Sequence, residues 1–218
     1  MRQKFFLMLI IFSGVLFSAN AQDIKLGIEF SPLVNWLNPD EDHLKRDKAA
    51  FNFDFGLNAE FYFRDNYAVV TGLYFNNQSG KIKYLKDYEF ETSNETYTLT
   101  ANEVVKHKMR YIRVPLGLKM KTNEIGYMTF FARLGLNSYF NTRSKATTDS
   151  DLFSDANSTK SASFFHAGYF IGGGIEYSIG ASALTAGVTY QNGFTNSFSS
   201  PNHHTVSSQV ALNLGIIF

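Results

Sequence analysis

The sequence predicts an all-β fold, an eight-stranded antiparallel up-and-down transmembrane barrel with short turns at one end and long loops at the other. Three observations carry this reading. Apolar and polar residues alternate with period two in eight segments. The connections between segments alternate long and short. The polar face of the segments holds balanced charge and many glycines, which suits a narrow interior better than a solvated surface.

The segments follow in order. IKLGIEFSP (24–32) sets Ile24, Leu26, Ile28 and Phe30 against Lys25, Gly27, Glu29 and Ser31. FNFDFGLNAEFYF (51–63) alternates without a break from Phe51 to Phe63, with Asp54 and Glu60 on its polar face. YAVVTGLYFNN (67–77) places Val69, Leu73 and Phe75 opposite Gly72, Tyr74 and Asn76. RYIRVPLGLKM (110–120) sets Ile112, Val114, Leu116, Leu118 and Met120 against Arg113, Pro115, Gly117 and Lys119. MTFFARLGLNS (128–138) carries Arg133 on its polar face, and FHAGYFIGGGIEY (165–177) carries Glu176. ALTAGVTYQ (183–191) and TVSSQVALNLGIIF (205–218) complete the set.

The turns RDN (64–66), KTNEIG (121–126) and SIGA (179–182) are tight, and the other connections are long. In a membrane barrel the tight turns face the periplasm and the long loops face outward. Loop 78–107 still alternates in part near its center, so a hairpin is expected there. It would extend the third and fourth strands beyond the membrane and offer a surface for an unidentified ligand or protein.

Residues 1–21 stand apart. Arg2 and Lys4 precede an apolar run from Phe5 to Phe17, and Ser18-Ala19-Asn20-Ala21 supplies small residues at A-x-A spacing. This is the form of a secretory signal peptide, with cleavage expected after Ala21 and a barrel domain over 22–218. Cysteine is absent, so an exported chain of this kind has no disulfide to lean on. Beyond the signal no apolar run is long enough for a membrane helix. The 20 Lys+Arg against 19 Asp+Glu become 18 against 19 once Arg2 and Lys4 are removed. That balance gives no case for nucleic-acid binding. Aromatic residues are abundant, with 22 Phe and 12 Tyr, and proline is scarce at 4; both suit long closed strands.

Periodicity gives two faces without saying which meets lipid. A soluble eight-stranded cup would put the apolar row inside. Three features favor the inverted arrangement. The cations Lys25, Arg113, Lys119 and Arg133 match the acids Glu29, Asp54, Glu60 and Glu176 in number, as an interior ion-pair network requires, since an unpaired interior charge costs several kcal/mol. Ten glycines, from Gly27 to Gly215, share that face. The apolar row ends in aromatics, with Phe63, Tyr67, Tyr177 and Phe218 at the turn side and Phe30, Phe51, Phe75 and Tyr190 at the loop side, where membrane girdles lie.

YIRVPLGLK (111–119) resembles the Y-L-E-I-P-L-L-L-K signature of PorT-like outer-membrane barrels of Bacteroidota-type bacteria, with Tyr111, Pro115 and Lys119 as the matching positions. TGLYFNN (71–77), GGGIEY (172–177) and ALNLGIIF (211–218) resemble that family too. The resemblance implies an outer-membrane barrel surrounded by lipid. It also implies that Phe218 serves as the C-terminal signal read by the barrel-assembly machinery during insertion. Arg113 departs from the pattern, where an acid is usual, so the lumen pairing is expected to be rearranged.

Candidate chemistry is sparse. His166 is the best candidate base, with Ser161 and Ser163 near in sequence, but a working triad needs a hydroxyl within reach and an orienting carboxylate. A lipid-modifying enzyme using His166 is therefore the alternative, and a hydrogen-bonded histidine at the barrel rim is preferred. Adjacent His203 and His204 point apart in extended chain and make a poor metal pair. Asp149, Asp151 and Asp155 lack the glycine and glutamate of a calcium loop, since Ser154 and Lys160 stand there. No catalytic, cofactor or metal residue is assigned. A small porin-like channel is the remaining alternative, set against a lumen that eight strands leave only just wide enough for side chains. The expectation is a structural or surface-binding barrel that is not an enzyme.

Overall fold

In the computed structural model, residues 23–41, 43–91, 95–150, 152–158, 162–198 and 205–218 are described. Residues 1–21, where a signal peptide is expected, Asp151, Lys160, Ser161 and the His203-His204 pair lie outside them. The strands are β1 (Asp23–Pro39), β2 (Leu44–Lys48), β3 (Ala50–Arg64), β4 (Tyr67–Tyr84), β5 (Tyr88–Glu91) and β6 (Thr96–Leu99). They continue as β7 (Val104–Lys121), β8 (Met128–Thr148), β9 (Ala156–Asn157), β10 (Phe165–Ile179), β11 (Ser182–Gly193) and β12 (Thr205–Ile217).

Eight of them, β1, β3, β4, β7, β8, β10, β11 and β12, pair antiparallel in chain order, and β12 closes on β1. Starting from Lys25 on β1, paired residues lead through Glu60, Val70, Gly117, Gly135, Phe170, Gln191 and Gln209. The circuit returns to β1 at Asn35, a stagger of ten residues from Lys25. Closure with such a shear requires strongly tilted strands, about 35–45° from the axis.

The barrel has two storeys of opposite polarity. In the lower storey the outward row is apolar and exposed. Ile28, Leu57, Leu73, Leu116, Leu136, Ile171 and Leu212 belong to it. The inward row is polar and buried, including Glu29, Asp54, Glu60, Arg113 and Lys119. In the upper storey the arrangement reverses. Leu37, Ile82, Val105, Met109 and Ala146 point inward as part of one apolar cluster. Lys108, Arg110 and Arg143 point outward and are exposed. On β7 the switch falls between Tyr111, buried inside, and Ile112, the first residue of the outward apolar row.

On β8 the switch is made by a bulge. Arg110 pairs with Arg143 and Tyr111 with Asn141, so Thr142 is the extra residue. Its hydroxyl donates to the Arg110 carbonyl at 3.1 Å. The extra residue shifts the phase, so that Ser144, Ala146 and Thr148 face in and Arg143 and Lys145 face out.

The expected outward hairpin takes a different course. β4 and β7 do continue above the membrane belt, paired as far as Lys83 with Val104. The tip then folds as a separate two-stranded sheet, β5 with β6. Phe90 and Leu99 from this hairpin are buried in the apolar cluster of the upper storey, and Phe90 stacks on Phe153 with ring centers 5.2 Å apart. The hairpin closes the mouth instead of projecting from it, because its apolar residues find a partner surface there.

Pro115 lacks the N–H that a ladder position supplies, yet no bulge or kink occurs there: it stays in register with Asn137 on β8. On the β4 side the ladder skips from Thr71–Leu116 to Tyr74–Arg113 without a register shift. The Thr71 hydroxyl donates to the Pro115 carbonyl at 2.8 Å. A two-residue gap thus absorbs the missing N–H. Pro32 sits in the same kind of gap, between Phe30–Leu214 and Leu33–Ala211.

Candidate functional site

The lumen of the lower storey is built from the inward residues in layers. Nearest the tight turns, Lys119 lies between Glu60 and Glu176 and pairs with both. Lys121 also reaches Glu176, at 3.2 Å. Tyr62 donates its hydroxyl to Glu60 at 2.6 Å, and the Lys119 ammonium sits 4.7 Å from the center of the Phe131 ring. Lys25, expected in this network, has no carboxylate partner among the described residues. It lies 5.5 Å from the Tyr62 ring center at the tight-turn end of the barrel, where water can solvate it.

The middle layer holds two further pairs. Arg133 donates to Glu29 at 3.0 Å and to Thr189 at 2.9 Å. Thr189 donates to Asn213, and Asn213 returns bonds to Glu29 at 3.0 Å and Ser31 at 2.8 Å. Arg113 donates to Asp54 from two nitrogens, at 2.7 and 3.1 Å. Its guanidinium lies 3.9 Å from the center of the Tyr74 ring. Room for that ring comes from Gly56 and Gly72: a Cβ at either would stand under 3.0 Å from it.

Above these lies an amide layer. Asn137 and Gln209 both donate to the Gln191 oxygen at 2.9 Å, and Tyr139 donates to it at 2.8 Å. Asn137 and Tyr139 share the parity of Arg133, and Gln191 and Gln209 lie on the polar face of their own segments. Lys121 is two positions beyond Lys119, so alternation alone places it inside. Formal charge alone does not single out the tyrosines and amides that complete the packing. A cavity of about 30 Å³ remains between Tyr74, Arg113, Arg133 and Phe170, room for one or two waters.

His166 is buried at the top of this stack. Its ring lies parallel to Tyr139 at 4.3 Å and edge-on to Tyr111 at 4.7 Å. Nδ1 has no hydrogen-bond partner among the described residues, and the ring is packed against Tyr139 and Tyr111. Among the described residues, neither a hydroxyl nor a carboxylate is bonded to it. Among the described residues there is no cluster of three metal-ligating side chains. Asp149 instead pairs with Lys81 at 2.7 Å, and Asp155 pairs with Lys108 at 3.2 Å and Lys145 at 3.1 Å. Phe218 is exposed beside the turn end, its backbone bonded to Leu26.

The architecture has counterparts among solved structures. Neisserial surface protein A is 11% identical, with a TM-score of 0.50, and the alignment covers 91% of this chain and 98% of that one. Ail, the attachment invasion locus protein of Yersinia pestis, solved with the heparin analogue sucrose octasulfate, is 16% identical with a TM-score of 0.44, covering 89% and 97%. OprG from Pseudomonas aeruginosa is 13% identical with a TM-score of 0.46, covering 91% and 96%. No curated protein sequence matches. At these identities the likeness concerns the fold. The sequence profile of the outer membrane protein beta-barrel domain matches residues 20–199. With a closed eight-stranded barrel, an apolar belt outside and charges inside, the chain belongs to the outer membrane protein beta-barrel domain family and resides in the outer membrane.

Proposed function

We propose that this barrel is non-conducting and non-enzymatic, and that it acts at the cell surface through its upper storey. The observation that supports the reading is the side-chain packing inside the barrel. Ion pairs, amides and stacked rings succeed one another from Lys121 to His166, and the apolar cluster closes the mouth above them. At the level of Arg113 and Arg133 the free space is about 30 Å³, enough for water and too little for a hydrated ion. Steady single-channel conductance from the purified chain in planar bilayers would refute a non-conducting lumen. Replacing His166 by Gln and following the lipid A mass profile tests the enzyme alternative; an unchanged profile is the expected result.

The same proposal includes the remaining assignments. YIRVPLGLK supports placement in the PorT-like branch. Residues 1–21 act as a cleaved export signal, which N-terminal sequencing of the mature chain reads directly. Phe218 acts as the terminal signal for the barrel-assembly machinery, and its deletion is expected to lower the amount of folded barrel in the outer membrane. The 78–107 connection, with its hairpin folded over the mouth, forms part of the surface offered to a ligand or protein.

A further inference from the structure

The net charge of the chain is close to zero, yet the upper storey segregates it. On the outer face of β2, β4, β7 and β8, cations stand directly opposite cations across strand pairs: Lys45 with Lys83, Lys48 with Lys81, Lys81 with Lys106, Lys108 with Lys145, and Arg110 with Arg143. Like charges directly opposite are destabilising in a sheet. Among the described residues, Asp149 and Asp155 are the carboxylates that answer them, on Lys81 and on Lys108 and Lys145. Arg110 and Arg143 have none.

Position and shape narrow what this facet is for. Arg110 is two residues above Ile112, where the outward apolar row begins. The bulge at Thr142 aims Arg143 and Lys145 outward; without it β8 would turn them into the apolar interior. A groove of about 300 Å³ lies here, with Lys108, Arg110, Arg143 and Lys145 on one side and Phe53 on the other. Phe53 is exposed and continues downward into a row of exposed rings, Phe30, Phe55 and Phe75, with neighboring centers 5.2 to 6.5 Å apart. The groove therefore has a cationic upper wall and an apolar lower edge that runs into the lipid belt.

We infer that this groove docks the phosphorylated headgroup of a glycolipid of the outer leaflet, with phosphates on Arg110, Arg143, Lys108 and Lys145 and acyl chains along Phe53 and Phe55. A soluble polyanion would meet the cations but leave the aromatic row uncovered. An uncharged lipid would cover the rings and leave the opposed cations unanswered. Asp155 competes with the phosphates for Lys108 and Lys145 and must give way on binding. The inference deepens the surface-binding role proposed above and rests on it. It does not depend on whether the lumen conducts.

The test uses the full chain purified from outer membranes, stripped of lipid in detergent and titrated in native mass spectrometry. The probes are bisphosphorylated lipid A, the same lipid dephosphorylated, and inositol hexakisphosphate. The expected result is binding of the phosphorylated lipid about a thousandfold tighter than the dephosphorylated one, at about 1 kcal/mol for each of the four cations near the membrane surface. The R110Q/R143Q variant is expected to lose most of that preference, and D155N to bind tighter than the parent. Equal binding of the two lipids overturns the site, as does hexakisphosphate binding as tight as the phosphorylated lipid. Heat-modifiable gel migration verifies that each variant is folded. The comparison of the two lipids on the unaltered chain decides the matter should a variant fail to fold.

Discussion

Arg113 and Asp54 are bonded through two nitrogens inside the barrel, both side chains buried, with the Tyr74 ring lying against the guanidinium. Each charge is there because the other is. Replacing Asp54 by Asn removes the countercharge and leaves Arg113 uncompensated in a site that water reaches poorly. Breaking a buried pair on one side costs about 3–5 kcal/mol. The double variant D54N/R113Q removes both charges and is expected to regain much of that loss. Urea unfolding in detergent micelles, followed by tryptophan fluorescence from Trp36, measures both. Equal stability of the single and double variants would contradict the pairing.

Gly117 and Gly135 face each other across β7 and β8, beneath the Phe170 ring. A Cβ on Gly135 would stand 2.4 Å from the Gly117 Cα and 2.9 Å from that ring. The backbone contact has no flexible end to move aside. Gly135→Val is therefore expected to destabilise the barrel by about 1–3 kcal/mol through overpacking. Val at the exposed, lipid-facing Leu136 next door is expected to change little, and the pair of variants in one unfolding series separates fit from residue size.

The mouth is closed by side chains of the outer connections, so it can be opened without harming the membrane part. Phe90→Ala removes a buried ring that stacks on Phe153. Such a loss costs about 3–5 kcal/mol, and here it falls on the hairpin, whose strands pair with each other alone. The expected outcome is faster proteolysis within the 84–104 connection with heat-modifiable migration of the barrel retained. Loss of the folded band would show that the two storeys unfold together.

Asp155 carries a pH signature. Hydrogen bonds from Lys145 and then Lys108 hold its carboxyl below 3.8, the ordinary aspartate value. A group lowered in the folded state stabilises it above the unfolded pKa, and that contribution fades as the pH falls through the folded pKa. The side-chain carbonyl shift of Asp155 is expected to titrate below the ordinary range and to return to it in K108Q/K145Q. An unchanged midpoint in that variant would rule out the two lysines as the cause. The residue is exposed, so the effect on global stability is expected to be small.

The lower storey was legible because its alternation is unbroken and its polarity never changes. From Phe51 to Phe63 each residue declares its side, and the inward charges follow by parity. The upper storey was not legible for a physical reason. At Tyr111 and Ile112 two apolar residues stand side by side, and the apolar row crosses from one face to the other. Residues 104–111 still alternate, with Val105, Met109 and Tyr111 against Lys106, Lys108 and Arg110. Alternation by itself carries no sign, so a segment with reversed polarity reads as loop once the membrane pattern has been adopted. The bulge at Thr142 hides the same crossing on β8. The pairings among lumen residues were also beyond a strand-by-strand reading. Arg113 meets Asp54 and Arg133 meets Glu29 because of the ten-residue stagger, a property of the closed ring and of no single segment.

The reversal between Tyr111 and Ile112 also works as a waterline. Were the molecule to ride two residues higher along β7, Ile112 would stand in water. Two residues lower, Arg110 and Arg143 would enter hydrocarbon, where a cation at mid-depth on a barrel's lipid face costs about 2–4 kcal/mol and less near the interface. Both displacements are opposed, so the draught of the barrel is set by its own chain. In a bilayer of the wrong thickness, the lipid around it is what must stretch or thin.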